Sequence, residues 1–128
     1  MVFGDFDELA REIGERNADR PDVREGLNLI LLQSLKDYAD GFELHPSGNR
    51  LIKIIDGEEV ESLPVSNKIY KSLIYRIEVM ADLDPLSKEL QRGKIDLNIS
   101  DERYTFLVKS QSLKDGKYIR VDINYPED

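Results

Sequence analysis

The stretch Tyr70-Lys71-Ser72-Leu73-Ile74-Tyr75-Arg76-Ile77-Glu78-Val79-Met80-Ala81-Asp82-Leu83-Asp84-Pro85-Leu86-Ser87-Lys88-Glu89-Leu90-Gln91-Arg92-Gly93 decides how the rest of the chain is read. It opens as an amphipathic helix. Ile69, Leu73, Ile77 and Met80 recur at three- and four-residue steps as one apolar stripe, widened by Ile74. Pro85 disfavours helix at the residue before it, so this helix stops by Asp84. Asp84 and Pro85 suit the N-cap and first position of a second helix, with Gly93 as its stop. The expectation is a joint of two helices with strands on both sides of it in the chain.

Downstream of the joint, three runs alternate apolar and polar residues. They are Ile95, Leu97 and Ile99; Tyr104, Phe106 and Val108; and Ile119, Val121, Ile123 and Tyr125. A period of two over such lengths predicts antiparallel strands with one apolar and one wetter face. Ser100-Asp101-Glu102 and Lys114-Asp115-Gly116 supply the turns, and Pro126 ends the ladder. Upstream, Leu51–Ile55 and Glu58–Leu63 flank Asp56-Gly57, the strongest short hairpin signal, because both turn residues tolerate positive φ. Pro64 closes this hairpin, and Ser66 suits the N-cap of the helix that follows.

Further upstream, Phe42-Glu43-Leu44-His45-Pro46 reads as a short strand after a helix over Glu25–Tyr38. That helix carries Leu27, Ile30, Leu31, Leu35 and Tyr38, with Leu29 and Leu32 widening its apolar surface, so it is expected to be well buried. Asn17–Arg24, with Pro21, reads as a linker. Phe3, Phe6, Leu9 and Ile13 fall on one side of an N-terminal helix that either caps the domain or binds a partner. Residues 1–22 therefore read as N-terminal helix and linker, and 23–128 as one α+β domain. Its expected form is a mainly antiparallel sheet of about five or six strands with helices packed against it.

The chain has 128 residues, enough for one domain with a real core, and a formal charge of −8. That charge argues against broad nucleic-acid or anionic-membrane surfaces. The absence of cysteine excludes disulfides, thiol catalysis and cysteine-bound metals. Asp5, Asp7 and Glu8 interrupt any leader-like apolar run, and no apolar stretch approaches membrane-spanning length, so the expected location is the cytoplasm. None of the eight glycines opens a G-x-x-x-x-G-K-[ST] phosphate loop, and no HExxH, calcium loop or paired-acid spacing occurs. His45, the one histidine, has Glu43 on its strand face and Pro46 beside it, and reads as structural. The expectation is no catalytic, nucleotide-binding or metal site and no cofactor.

Tyr75-Arg76-Ile77-Glu78-Val79-Met80-Ala81-Asp82-Leu83-Asp84 resembles the S-R-I-K-x-M-A-x-L-D segment of the second N-terminal domain of the bacterial type II secretion and type IV pilus assembly ATPases. Ser87–Lys94 is similar to the continuation of that segment with one residue fewer. Asn28-Leu29-Ile30-Leu31, Ala39 and Pro46 match the family's first junction, although His and Glu are exchanged within Asp40–Pro46. Gly116 matches the glycine of a family turn, with Lys117 in place of its Glu. The resemblance spans roughly Val23 to Asn124 and implies the same α+β fold, without the motor that hydrolyses ATP.

The family's nucleotide-facing arginines correspond to Ile52, Ile54, Lys94 and Leu107 in this sequence. Three of these four have no charge and the fourth lacks the bidentate fork, which implies that nucleotide contact has been given up. A cationic set remains around the joint: Arg76, Lys88, Arg92 and Lys94. It reads either as a solvated helix face balanced by Glu78, Asp82, Asp84 and Glu89, or as a protein interface. The expected function is a non-catalytic interaction or adaptor module whose partner is a secretion or pilus component. The alternatives are the N-terminal part of a longer secretion or pilus ATPase, and a small-ligand sensor.

Overall fold

The computed structural model describes residues 20–126, in which two helices and one six-stranded sheet form an α+β domain. The elements are α1 (Arg20–Lys36), β1 (Gly41–His45), β2 (Arg50–Ile55), β3 (Glu58–Pro64), α2 (Asn67–Met80), β4 (Gln91–Ile99), β5 (Glu102–Leu113) and β6 (Gly116–Asn124). The strand order is β3-β2-β1-β6-β5-β4, antiparallel throughout. Two three-stranded meanders thus meet at the β1–β6 pair. Edges β3 and β4 are joined in sequence by α2, so this helix must cross the sheet. Its fourteen residues span about 21 Å, close to the roughly 24 Å between the two edge strands.

Both helices lie on one face. Leu27, Ile30 and Leu31 of α1 and Ile69, Leu73 and Ile77 of α2 share a core with Phe42, Leu44, Leu51, Phe106, Val108, Ile119 and Val121. The strand residues in this set are alternate ones, as period-two patterning requires. The side chain of Ser66 accepts the Ile69 N–H and caps α2. At the hairpin, Asp56 and Gly57 have φ of 52° and 79°, the left-handed pair of a type I′ turn.

Three expectations are corrected. Asn17–Arg24 is not a linker throughout, because α1 begins at Arg20 and runs through Pro21. Proline in a first helical turn gives up an N–H that has no helical partner there. The same helix ends before Tyr38, which itself takes φ 53° while the Ala39 N–H bonds the Ser34 carbonyl.

The third correction concerns the joint: no second helix follows Asp84-Pro85. Residues 81–90 form a loop, and Gln91-Arg92-Gly93-Lys94 are the start of β4. Asp84 spends its cap on a local turn, its Oδ1 accepting the Leu86 N–H. Gln91 then holds the loop from both sides, accepting the Asp84 N–H and donating to the Asp84 carbonyl. Gly93 is not a helix stop but a point of close approach. A Cβ there would stand 2.5 Å from the Ala81 carbonyl oxygen and 2.9 Å from Leu83 Cδ2, so the strand passes under the end of α2 only as glycine. The N-terminal helix expected over residues 3–17 lies outside the described residues.

Candidate functional site

The four cations expected at the joint do not form one cluster. Arg76 stands half-buried on α2, its Nε enclosed without a hydrogen-bond partner. Lys88 is exposed in the loop. Arg92 and Lys94 flank Gly93, which turns toward α2, so both project from the opposite, outer face of the sheet. There Arg92 is in register with Lys109, and Lys94 with Leu107. Lys94 and Arg103 approach Asp96 at 3.8 and 3.6 Å. The Thr105 hydroxyl donates to Asp96 at 2.7 Å and, with those two cations, holds its carboxyl below the usual range despite some desolvation.

The joint is instead marked by apolar exposure. Eight large apolar side chains are exposed among the described residues, and four of them, Tyr75, Val79, Leu86 and Leu90, fall between positions 75 and 90. Tyr75 and Val79 are one turn apart on the solvent side of α2. Leu86 is 88% exposed, at the tip of the loop that Asp84 and Gln91 hold in place. Tyr75 and Pro85 line the same cleft, which joins the helix surface to the loop surface.

That cleft, about 320 Å³, opens between α2, the β1–β2 turn and the β5–β6 turn. At its inner end Glu78 Oε2 accepts from Lys117 Nζ at 2.5 Å and from Ser110 Oγ at 2.9 Å. Lys117 also donates to the Pro85 carbonyl at 2.9 Å, and the Tyr70 hydroxyl donates to the Lys117 carbonyl at 2.6 Å. Burial pushes the Tyr70 hydroxyl well above its ordinary pKa, so Tyr70 remains a donor. Sequence reading placed Glu78 among solvated balancing charges. The overlooked signal is position: Glu78 follows Ile77 and lies four residues after Ile74, at the margin of the apolar stripe.

On the outer face, the Tyr118 hydroxyl donates to Glu43 Oε2, and the His45 ring meets Tyr118 edge-on at 5.3 Å. Desolvation and then the Glu43 carboxylate raise the Tyr118 pKa. Arg120 lies 3.7 Å from Glu43 and 2.9 Å from Asp122. His45 Nδ1 is enclosed without a hydrogen bond. Ile52, Ile54, Lys94 and Leu107 all fall on this same face. Among the described residues, no group of three or more His, Asp or Glu is placed to hold a metal, and no helix is long and apolar enough to cross a membrane. No family model matches this sequence, and no curated protein does.

Proposed function

We propose that the chain is a non-catalytic interaction module whose partner docks on the joint, over Tyr75, Val79, Leu86 and Leu90. The observation that carries this reading is that four of the eight exposed large apolar side chains among the described residues fall within positions 75–90, the material from which an apolar contact patch is built. Lys88 and the partly exposed Arg76 would border this patch as a polar rim that tunes association. The resemblance of Tyr75–Asp84 to the secretion and pilus ATPases suggests a cytoplasmic setting and a secretion or pilus component as partner. The same surface would serve if these residues belong to a longer ATPase. With Ile52, Ile54 and Leu107 where that family has arginines, ATP at millimolar concentration is expected neither to bind nor to be hydrolysed, as read by calorimetry and phosphate release.

The test is capture of partners from the native organism by wild type and by Leu86→Asp/Leu90→Asp. A folded double variant is expected to bind at least tenfold more weakly, roughly 1.4 kcal/mol. Equal capture by both proteins would remove the joint from consideration.

A second reading, a small-ligand sensor, is favoured by the cleft alone. Its volume falls at the small end for ligand pockets, and a buried carboxylate and a lysine converge at its inner end. A ligand screen by thermal shift, repeated on Tyr75→Trp to crowd the mouth, checks it. Hits unaffected by that substitution would count against the cleft.

A further inference from the structure

The sheet ends on two unlike edges, β3 and β4. A free edge offers unpaired backbone N–H and C=O groups to any strand that approaches it. β3 is blunted against such an approach. Three of its seven residues are glutamates, Pro64 brings no N–H, and its ladder with β2 shifts between Lys53 and Ile54. β4 has no shift and no proline. Its nine residues keep one unbroken register against β5, from Gln91↔Ser110 to Ile99↔Glu102. Among the described residues, no strand lies on its other side and no turn or loop backbone bonds to it there. Its central charges, Lys94 and Asp96, are of opposite sign and stand on either side of Ile95.

We propose that β4 is completed by the β4 of a second copy of this chain, antiparallel to it across a two-fold axis at Ile95. Opposed residues of an antiparallel pair share a face of the sheet, so the axis stands perpendicular to the sheet and passes through a residue position. At Ile95 it sets Lys94 directly opposite the partner's Asp96, and Asp96 opposite the partner's Lys94. Cross-strand pairs of opposite charge stabilise a sheet and like charges so placed destabilise it. Lys94 is available for this pairing: its side chain is 66% exposed and stands 3.8 Å from Asp96 of its own chain. Arg92 then faces the partner's Asn98. Neighbouring axes are disfavoured. At Gly93 the axis opposes Arg92 and Lys94, at Lys94 it opposes two lysines, and at Asp96 two aspartates. At Leu97 it forms no pair of opposite charges within β4. On the helix side, the Ile95 axis sets Ile95 against the partner's Ile95 and Leu97 beside the partner's Gly93, apolar against apolar. The assembly closes at two copies, because the blunted β3 edges end the joined sheet on both sides. The helices of both copies cover the same face of that sheet. This inference does not depend on the joint being an interface.

Sedimentation of the full chain at low salt is expected to show dimers that dissociate on dilution. Lys94→Asp sets two aspartates opposite each other, and Asp96→Lys two lysines, so each variant alone is expected to self-associate about tenfold more weakly or worse. Mixing the two restores both opposite-charge pairs, and the equimolar mixture is expected to dimerise as the wild type does. A second measurement needs no variant. In the wild type, amides of residues 92–98 that do not bond β5 are expected to exchange hydrogen more slowly as protein concentration rises, while those on the free edge of β3 stay unchanged. A wild type still monomeric at about 1 mM would overturn the proposal and leave the edge to a strand of another protein. So would a mixture no more dimeric than either variant alone, or concentration-dependent protection at β3 in place of β4.

Discussion

Lys117 and Glu78, thirty-nine positions apart in sequence, meet at 2.5 Å beneath α2, where the Glu78 side chain is 2% exposed and that of Lys117 18%. The pair ties the β5–β6 turn to the helix that crosses the sheet. Through the Pro85 carbonyl the same ammonium also reaches the loop that carries Leu86 and Leu90.

Breaking that pair from one side should be costly. Glu78→Met leaves the Lys117 ammonium and Ser110 hydroxyl without their acceptor, and a loss of about 3–5 kcal/mol is expected. Glu78→Met with Lys117→Met removes both charges and is expected to recover much of that loss. Urea unfolding of the single and double variants reads the difference. A double variant no better than Glu78→Met would show that shape, not charge pairing, governs this position.

The pH dependence should report Asp37. Burial alone would raise its pKa, but hydrogen bonds from Lys53 and Gln33, with the charges of Lys53 and Lys36, together bring it below the ordinary 3.8. Because the folded value is the lower one, the contribution to stability is complete above 3.8 and is lost as pH falls through the folded value. Asp37→Asn should therefore cost about 1.5–3 kcal/mol near neutrality, the range for a hydrogen bond to a charged group. The gap from wild type should narrow as pH is lowered past that window. A gap that widens on acidification would reverse the assignment.

Gly93 offers a steric test of the corrected joint. Gly93→Ala places a methyl against the Ala81 carbonyl, a backbone atom that cannot swing aside. A destabilisation of about 1–3 kcal/mol is expected, the usual range for overpacking. Were Gly93 a helix stop in open solvent, the effect would be no more than a few tenths.

Leu31 and Ile77 set the inward faces of the two helices and are 3% and 1% exposed. Either changed to alanine is expected to cost about 2–5 kcal/mol in chemical denaturation. Values below about 0.5 kcal/mol, typical of surface positions, would mean the helices pack the other way round.

Much of the architecture could be read locally. The stripe Ile69–Leu73–Ile77, the Ser66 cap, the Asp56-Gly57 turn and the three alternating runs each encode their conformation within a few residues. The structure bears these out as α2, the β2–β3 hairpin and β4–β6. The candidate site was less legible. The sequence groups Arg92 and Lys94 with Arg76 by nearness in the chain, Arg92 in an expected helix and Lys94 just past its expected stop at Gly93. In a strand under Ala81 they point away from it.

What the sequence by itself determined is the identity of the elements governed by period and turn chemistry, because steric and hydrogen-bonding preferences act over one or two turns of chain. Only the tertiary structure decided the conformation of Asp84–Gly93, where a cap residue and a proline suit a helix start or a loop equally well. The competition was settled by contacts from Gln91 and the end of α2. It also decided that Glu78 is buried against Lys117 and that Ile52 and Ile54 lie on the face away from the helices. Those outcomes depend on which strand lies beside which, and local periodicity carries no record of neighbours dozens of residues away.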